Sequence, residues 1–325
     1  MSGRTSGWTR SVRRAAVAAL VVGAAGAVAA CGPAGDDPSA SPTSTLAVEV
    51  AGELGERPSV TIPPGFTVTE TSTATLIAGD GPVVTEGQTI LLDYFAIDIA
   101  TGETIADTFA TLPEIRTFTA DDLGGALYDM IDGATLGSRI ERIELGTKKD
   151  PHPHVLVVDL PRLRAVGEEI AATVDPGLPT VERGEDGAPV VTIPETSAPH
   201  QTQTTTLIKG TGPQVGVGQS VILQLSAVRW SDGAVVDSTW ETRPRALAVS
   251  DLPRGLAGGL VEQTAGSQVL VVVPPEDGNG VDTLVYVVDI LATADVALPP
   301  AGTEHEPVEE DPATGEPAVD GSAQG

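Results

Sequence analysis

Thr75-Leu76-Ile77-Ala78-Gly79-Asp80-Gly81-Pro82 returns as Thr206-Leu207-Ile208-Lys209-Gly210-Thr211-Gly212-Pro213, a shift of 131 residues. The same shift carries Val60-Thr61-Ile62-Pro63 onto Val191-Thr192-Ile193-Pro194, Gly87-Gln88 onto Gly218-Gln219 and Gly102 onto Gly233. Farther along it is 129 for Asp122-Leu123, Leu127 and Gly137-Ser138 against Asp251-Leu252, Leu256 and Gly266-Ser267. It is 130 for Val157-Val158-Asp159 against Val287-Val288-Asp289. Constant blocks separated by small insertions mark two copies of one domain; a solenoid would repeat every 20 to 50 residues or so.

Each copy follows one order. Ile90 to Ile97 has strand composition with Ile90, Leu92, Tyr94 and Ala96 on one face, and the second copy places Val221, Leu223, Leu225 and Ala227 there. Thr101-Gly102 and Asp232-Gly233 supply hairpin turns. Asp121 or Asp122 caps a short helix striped by Leu123, Leu127, Met130 and Ile131. Leu252, Leu256 and Leu260 form the second copy's stripe, where Gly255, Gly258 and Gly259 lower helix propensity. Strands Arg139 to Leu145 and His154 to Leu163 complete the first copy, Gln268 to Val273 and Thr283 to Leu291 the second. Strands, one helix, then strands predict an α+β fold: in each copy a twisted antiparallel sheet wrapped on one short helix.

The flanks are of another character. The first residues carry Arg4, Arg10, Arg13 and Arg14, then an apolar run from Ala15 to Ala30, too short for a membrane span of about 20 residues. Its end, Val28-Ala29-Ala30-Cys31-Gly32, resembles the bacterial lipobox, in which the cysteine receives a diacylglyceryl group. Cys31 is the single cysteine of the chain. An ordinary secretory signal cleaved near an Ala-x-Ala site is the other reading of the same residues. The expected organisation is a lipoprotein signal peptide at 1–30, a disordered tether at 31–57, domains at 58–167 and 189–297 joined by a linker at 168–188, and an acidic disordered tail at 298–325. This places the protein outside the cytoplasm, held to the cell membrane by lipid at Cys31.

Composition narrows the chemistry. Eighteen Lys and Arg against 45 Asp and Glu give a formal charge of −27, which repels phosphate backbones and speaks against nucleic-acid partners. One cysteine excludes a disulfide framework and a four-cysteine zinc site. Four Phe, three Trp and three Tyr leave little for stacking platforms. Neither a Gly-x-Ser-x-Gly elbow nor a Gly-x-x-x-x-Gly-Lys-Ser/Thr loop occurs. His152-Pro153-His154 with Asp150 reads as a solvated turn before a metal site, and Asp121-Asp122 and Glu168-Glu169 as a cap and a solvated linker. No cofactor or metal is expected.

The ordered set Gly210-x-Gly212, Gly218-Gln219, Gly233, Val236-Asp237-Ser238, Arg254-Gly255-Leu256, Gly266, Val273-Pro274-Pro275 and the closing strand to Leu291 resembles the FKBP-type peptidyl-prolyl cis-trans isomerase domain. The resemblance covers about residues 68 to 166 and 199 to 293 and is clearer in the second copy. It implies prolyl isomerisation or chaperone-like holding of exported, Pro-containing polypeptides in an apolar cup. Carried over by position, the first cup draws on Tyr94 or Phe95, Ile105, Leu123, Leu127 and Leu156, with Asp107 near the polar position. The second draws on Leu225, Val236, Asp237, Leu252, Leu256 and Tyr286. Leu127 and Leu256 stand where the family carries a tryptophan, and Asn279-Gly280 where it carries Tyr-Gly. A non-catalytic tandem binding or scaffold module is the alternative.

Overall fold

A computed structural model of the chain describes residues 46–146, 151–170, 175–184 and 187–298. Cys31, the signal peptide, the tether up to residue 45 and the acidic tail from 299 lie outside them. From Leu46 to Leu298 the described chain forms one compact unit.

The first repeat opens with a hairpin of β1 (Glu49–Ala51) and β2 (Ser59–Thr61). Then come β3 (Ser72–Ile77), β4 (Thr89–Asp98), β5 (Thr104–Asp107) and β6 (Glu114–Thr117), the helical turns α1 (Ala120–Leu123) and α2 (Gly125–Ile131), β7 (Ser138–Glu144) and β8 (His154–Leu160). The sheet runs β3-β7-β8-β4-β5, with β6 also on β4. After β9 (Glu168–Glu169), the second repeat opens with a hairpin of β10 (Thr180–Arg183) and β11 (Pro189–Thr192). It continues with β12 (Gln203–Lys209), β13 (Ser220–Arg229), β14 (Val235–Ser238), β15 (Arg245–Ala248), α3 (Arg254–Leu260), β16 (Gln268–Val273) and β17 (Leu284–Ala294). Its sheet runs β14-β13-β17-β16-β12 with β15 also on β13, which is the first sheet's order, and adds β9 outside β12. Every pairing within the two sheets is antiparallel.

The repeated glycines are explained by close approach. A Cβ on Gly79 would lie 2.4 Å from the carbonyl oxygen of Leu136, and one on Gly210 2.2 Å from that of Ala265. Both are well inside the contact distance any side chain tolerates, so the phrase that reveals the repeat is fixed by backbone packing.

Alternation places Ile90 and Leu92, and in the second repeat Val221, Leu223, Leu225 and Ala227, on the helix-bearing face, as the strand pattern predicts. The opposite faces are buried too, which a one-sided pattern does not predict. In the second repeat Leu270, Val272, Val285 and Val287 lie under Val181 and Val191 of the β10–β11 hairpin. That hairpin lies across the segment read as a linker, and β1 lies inside the segment read as a tether. Val50 pairs with Val60 as Val181 pairs with Val191, so each hairpin belongs to its repeat unit.

The two sheets meet along an apolar seam. Leu91, Leu112 and Ile222 are buried there beneath Ile115, Leu163, Ala246, Leu291 and Leu298. Burial of each such side chain stabilises by about 1.5–3 kcal/mol. Beside the seam Ala165 N donates to Asp289 Oδ2 at 2.7 Å, Val166 N to Gly266 O at 2.8 Å and Ile170 N to Leu207 O at 2.9 Å. The chain leaving the first sheet is thereby stitched onto the second.

Candidate functional site

On the concave face of the first sheet, Thr119 caps α1 by accepting from Asp122 N at 3.2 Å, and Gly124 at φ 76° breaks the helix before α2. The predicted stripe splits by depth: Met130 and Ile131 are buried, Leu123 and Leu127 half-buried. Tyr94 from β4 and Leu156 from β8 are half-buried against the same cluster. Tyr94, Leu123, Leu127 and Leu156 thus all pack, half-buried, against one core cluster between sheet and helix.

Its rim is polar. Tyr94 Oη donates to Glu114 Oε1 at 2.9 Å, and Arg116 bonds Glu114 Oε2 at 2.8 Å and Asp122 Oδ1 at 3.1 Å. Burial, then Glu114, push the Tyr94 phenol up. Tyr128 stacks on Phe118 with centroids 4.6 Å apart and donates to Glu86 Oε2 at 2.8 Å.

The other first-repeat candidates lie elsewhere. Phe95 is buried on the opposite face of β4, under the Arg57 guanidinium at 4.3 Å, because successive strand residues alternate sides. Asp107 pairs with that arginine at 2.5 Å. Ile105 is 54% exposed on edge strand β5.

In the second repeat the corresponding set is closed. Leu256 is 2% exposed and Tyr286 8%, and both pack with Leu225 and the half-buried Leu252. Val236 is 47% exposed on edge strand β14. Asp237 is held by Arg245 through hydrogen bonds of 2.7 and 2.8 Å, which keep its carboxyl below the usual range. Burial and then the Asp237 charge push the Tyr286 phenol up.

Glycines account for the closure. A Cβ on Gly255 would sit 2.6 Å from Val273 Cγ1, and one on Gly259 2.8 Å from Val271 Cγ1, so the backbone of α3 rests directly on β16. By the repeat shift the first copy has Ala126 and Met130 at these positions. Met130 is buried in the core cluster of the first repeat.

The outer faces hold buried charges that sequence reading missed. Arg139 Nε and Nη2 donate to Asp159 Oδ1 and Oδ2 at 2.6 and 2.8 Å, with both side chains almost fully buried. Arg139 also reaches Gly52 O at 2.9 Å and Glu56 O at 2.6 Å, while Gly55 N donates to Asp159 Oδ2 at 2.7 Å. The pair therefore pins the β1–β2 hairpin to the sheet. Asp93 lies opposite Asp159 on β4 and accepts from Thr108 Oγ1 at 2.9 Å. Burial pushes its pKa up to about 6; the Thr108 bond opposes this, and Asp159, Glu114 and Asp107 add to it. In the second repeat the same row is Gln224, Asp289 and Gln268. Thr239 Oγ1 donates to Gln224 Oε1 at 3.0 Å, Gln268 Nε2 donates to Asp289 Oδ1 at 2.8 Å, and burial raises the Asp289 pKa. An arginine standing in a predicted strand beside an aspartate of the next strand was the available signal.

Among the described residues no three His, Cys, Asp or Glu side chains converge as metal ligands, and no helix is long and apolar enough to cross a membrane. His152 Nδ1 lies 3.2 Å from Asp98, and His154 Nε2 lies 3.2 Å from Glu144.

No family model matches the chain, and no curated protein matches it. Among solved structures, FkpA from Escherichia coli aligns at 19% identity over 35% of this chain and 51% of its own, with a TM-score of 0.27. This chain therefore spans about half the length of that protein. A peptidyl-prolyl cis-trans isomerase from Pseudomonas syringae aligns at 20% identity over 37% and 84%, with a TM-score of 0.28. The three FKBP domains of wheat FKBP73 align at 15% identity over 69% and 94%, with a TM-score of 0.27.

Proposed function

We propose that this chain is a folding helper of the FKBP type, a peptidyl-prolyl cis-trans isomerase for exported, Pro-containing polypeptides. Its first repeat carries the working cup and its second serves as scaffold. The observation that supports this is the half-buried apolar surface of Tyr94, Leu123, Leu127 and Leu156. Rotation about the prolyl bond faces a barrier of about 18–20 kcal/mol and needs neither nucleophile nor proton shuttle. A cup that takes the pyrrolidine ring out of water and suits the twisted amide better than the planar one lowers that barrier. Tyr94, tied to Glu114, would form a fixed wall of the cup, with the leucines as its floor. Lipid attachment at Cys31 would hold the protein at the outer face of the cell membrane, and mass spectrometry for a diacylglyceryl adduct on that residue tests it.

The test of activity is refolding of a proline-limited substrate protein by the full chain. Acceleration is expected, and it should fall with Leu127→Ala and Tyr94→Ala while surviving Val236→Ala. Absence of acceleration at micromolar concentration sinks the isomerase reading. The closed second cup, with Leu256 and Tyr286 buried, favours one other reading: a non-catalytic tandem binding or scaffold module. Peptide binding without acceleration would select it.

A further inference from the structure

Arg139 and Gln268 hold the same place in the two repeats. Shifted by 129 one becomes the other, and Gln268 pairs with Ile208 and Asp289 as Arg139 pairs with Ile77 and Asp159. The Gln268 amide repeats one of the arginine's bonds: its Nε2 donates to Asp289 Oδ1 at 2.8 Å, where Arg139 Nε donates to Asp159 Oδ1 at 2.6 Å. There the glutamine ends. It has no counterpart to the two Nη groups, which in the first repeat reach Asp159 Oδ2 and the hairpin carbonyls of Gly52 and Glu56.

Beside Gln268 the second repeat has a cavity of about 380 Å³. Arg183 and Gly187 line it, and they are Gly52 and Glu56 shifted by 131. Pro189, opposite Arg183 in the β10–β11 hairpin, has no N–H to give the Arg183 carbonyl. Val181, Leu207 and Ile208 supply aliphatic wall. Glu182, exposed on the lining, stands where the first repeat has Ala51, and Glu169 adds a second exposed carboxylate. The copy without the buried guanidinium therefore has a space, hairpin backbone and added acid where the other copy places that group.

We propose that this cavity binds a guanidinium carried on an alkyl stem, as in arginine, whether free or within a polypeptide. The bound group takes the part of the Arg139 fork, donating to the Gln268 carbonyl oxygen and to the backbone carbonyls of Arg183 and Gly187, while its methylenes lie on Val181, Leu207 and Ile208. Five N–H donors in one plane suit several acceptors around one space better than a compact ammonium does. Glu169 and Glu182 oppose its charge, and the exposed Arg183 side chain, the one cation of the lining, works against it. The cavity lies under the β10–β11 hairpin on the outer face of the sheet, so the site is separate from the cup and independent of the function proposed above. A ligand there fastens this hairpin to its sheet as Arg139 fastens β1–β2.

The experiment titrates the full chain calorimetrically with ethylguanidine, N-acetyl-arginine amide and butylamine. The guanidines are expected to bind at least about tenfold tighter than the amine and, at millimolar concentration, to raise the melting temperature. Binding of both guanidines assigns the site to arginine side chains of polypeptides as well as to free compounds; binding of ethylguanidine alone assigns it to small free guanidines. Gln268→Arg fills the cavity from within, so it should abolish binding and raise the melting temperature of the unliganded chain. Gln268→Met, which takes away the amide and keeps the volume, should weaken binding about tenfold. Arg183→Ala removes the opposing charge and should strengthen it severalfold. Absence of binding by either guanidine overturns the proposal, and so does equal binding of the amine. Affinity unchanged in both Gln268 variants overturns the assignment to this cavity.

Discussion

The two repeats share strand order, hairpins and helix position, yet they treat their faces in opposite ways. The first leaves its concave surface half open around Tyr94 and Leu127 and spends buried charge, Arg139 on Asp159, to hold a hairpin on its outer face. The second packs the glycines of α3 directly on β16 and covers its outer face with apolar side chains. Topology therefore follows from the repeated blocks, while α3 rests on β16 through Gly255 and Gly259, positions that the first copy fills with Ala126 and Met130.

The same substitution made in each repeat probes this contrast most strongly. Arg139→Met leaves Asp159 buried without its counter-charge and is expected to cost about 3–5 kcal/mol in urea unfolding of the full chain. Gln268→Met, at the matching position, removes a hydrogen bond to Asp289 and should cost about 0.5–1.5 kcal/mol. Equal losses would mean that the two rows are energetically alike.

The next effect depends on pH. The folded pKa of Asp93 is raised above its unfolded value, so its contribution favours folding fully below about pH 4 and is lost as pH rises through about 6. Asp93→Asn copies the amide of Gln224, and above pH 6 it should be more stable than the parent by up to about 3 kcal/mol, the difference vanishing near pH 4. Melting temperatures across that range decide it, and a difference independent of pH would refute the assignment.

Two glycine changes test the closure. Gly259→Met forces a side chain against Val271 and Thr204 and should destabilise by about 1–3 kcal/mol while raising the accessibility of Tyr286 to chemical labelling. Gly258→Ala meets nothing within 4 Å and should stabilise by about 0.5–1 kcal/mol, the smallest effect of the series. A loss from Gly258→Ala would show that the helix face is not as open as its geometry implies.

Much of this was legible in the residues. The repeat, the long strands and the helical stripe follow from spacing, and observed strands such as Gln268–Val273 coincide with those expected. The short hairpins were not legible, because Glu49–Ala51 and Thr180–Arg183 are too brief for a period and acquire strand geometry from distant partners. Nor does a choice between Tyr94 and Phe95 follow from composition, since alternation says that one of them faces the helix without saying which. Whether a cup is open depends on how closely a helix lies on its sheet, and that is a packing outcome of residues such as Met130 whose pattern alone reads as core.

The seam of Leu91, Leu112 and Ile222 has a consequence in time. Leu160, whose strand completes the first sheet, is synthesised about 140 residues before Leu298, an interval of roughly 7 to 28 s at about 5–20 residues per second. Throughout it, the first sheet exists with one flank bare, waiting for a neighbour still being made. A protein proposed to shelter unfinished chains passes through the same exposed interval during its own synthesis.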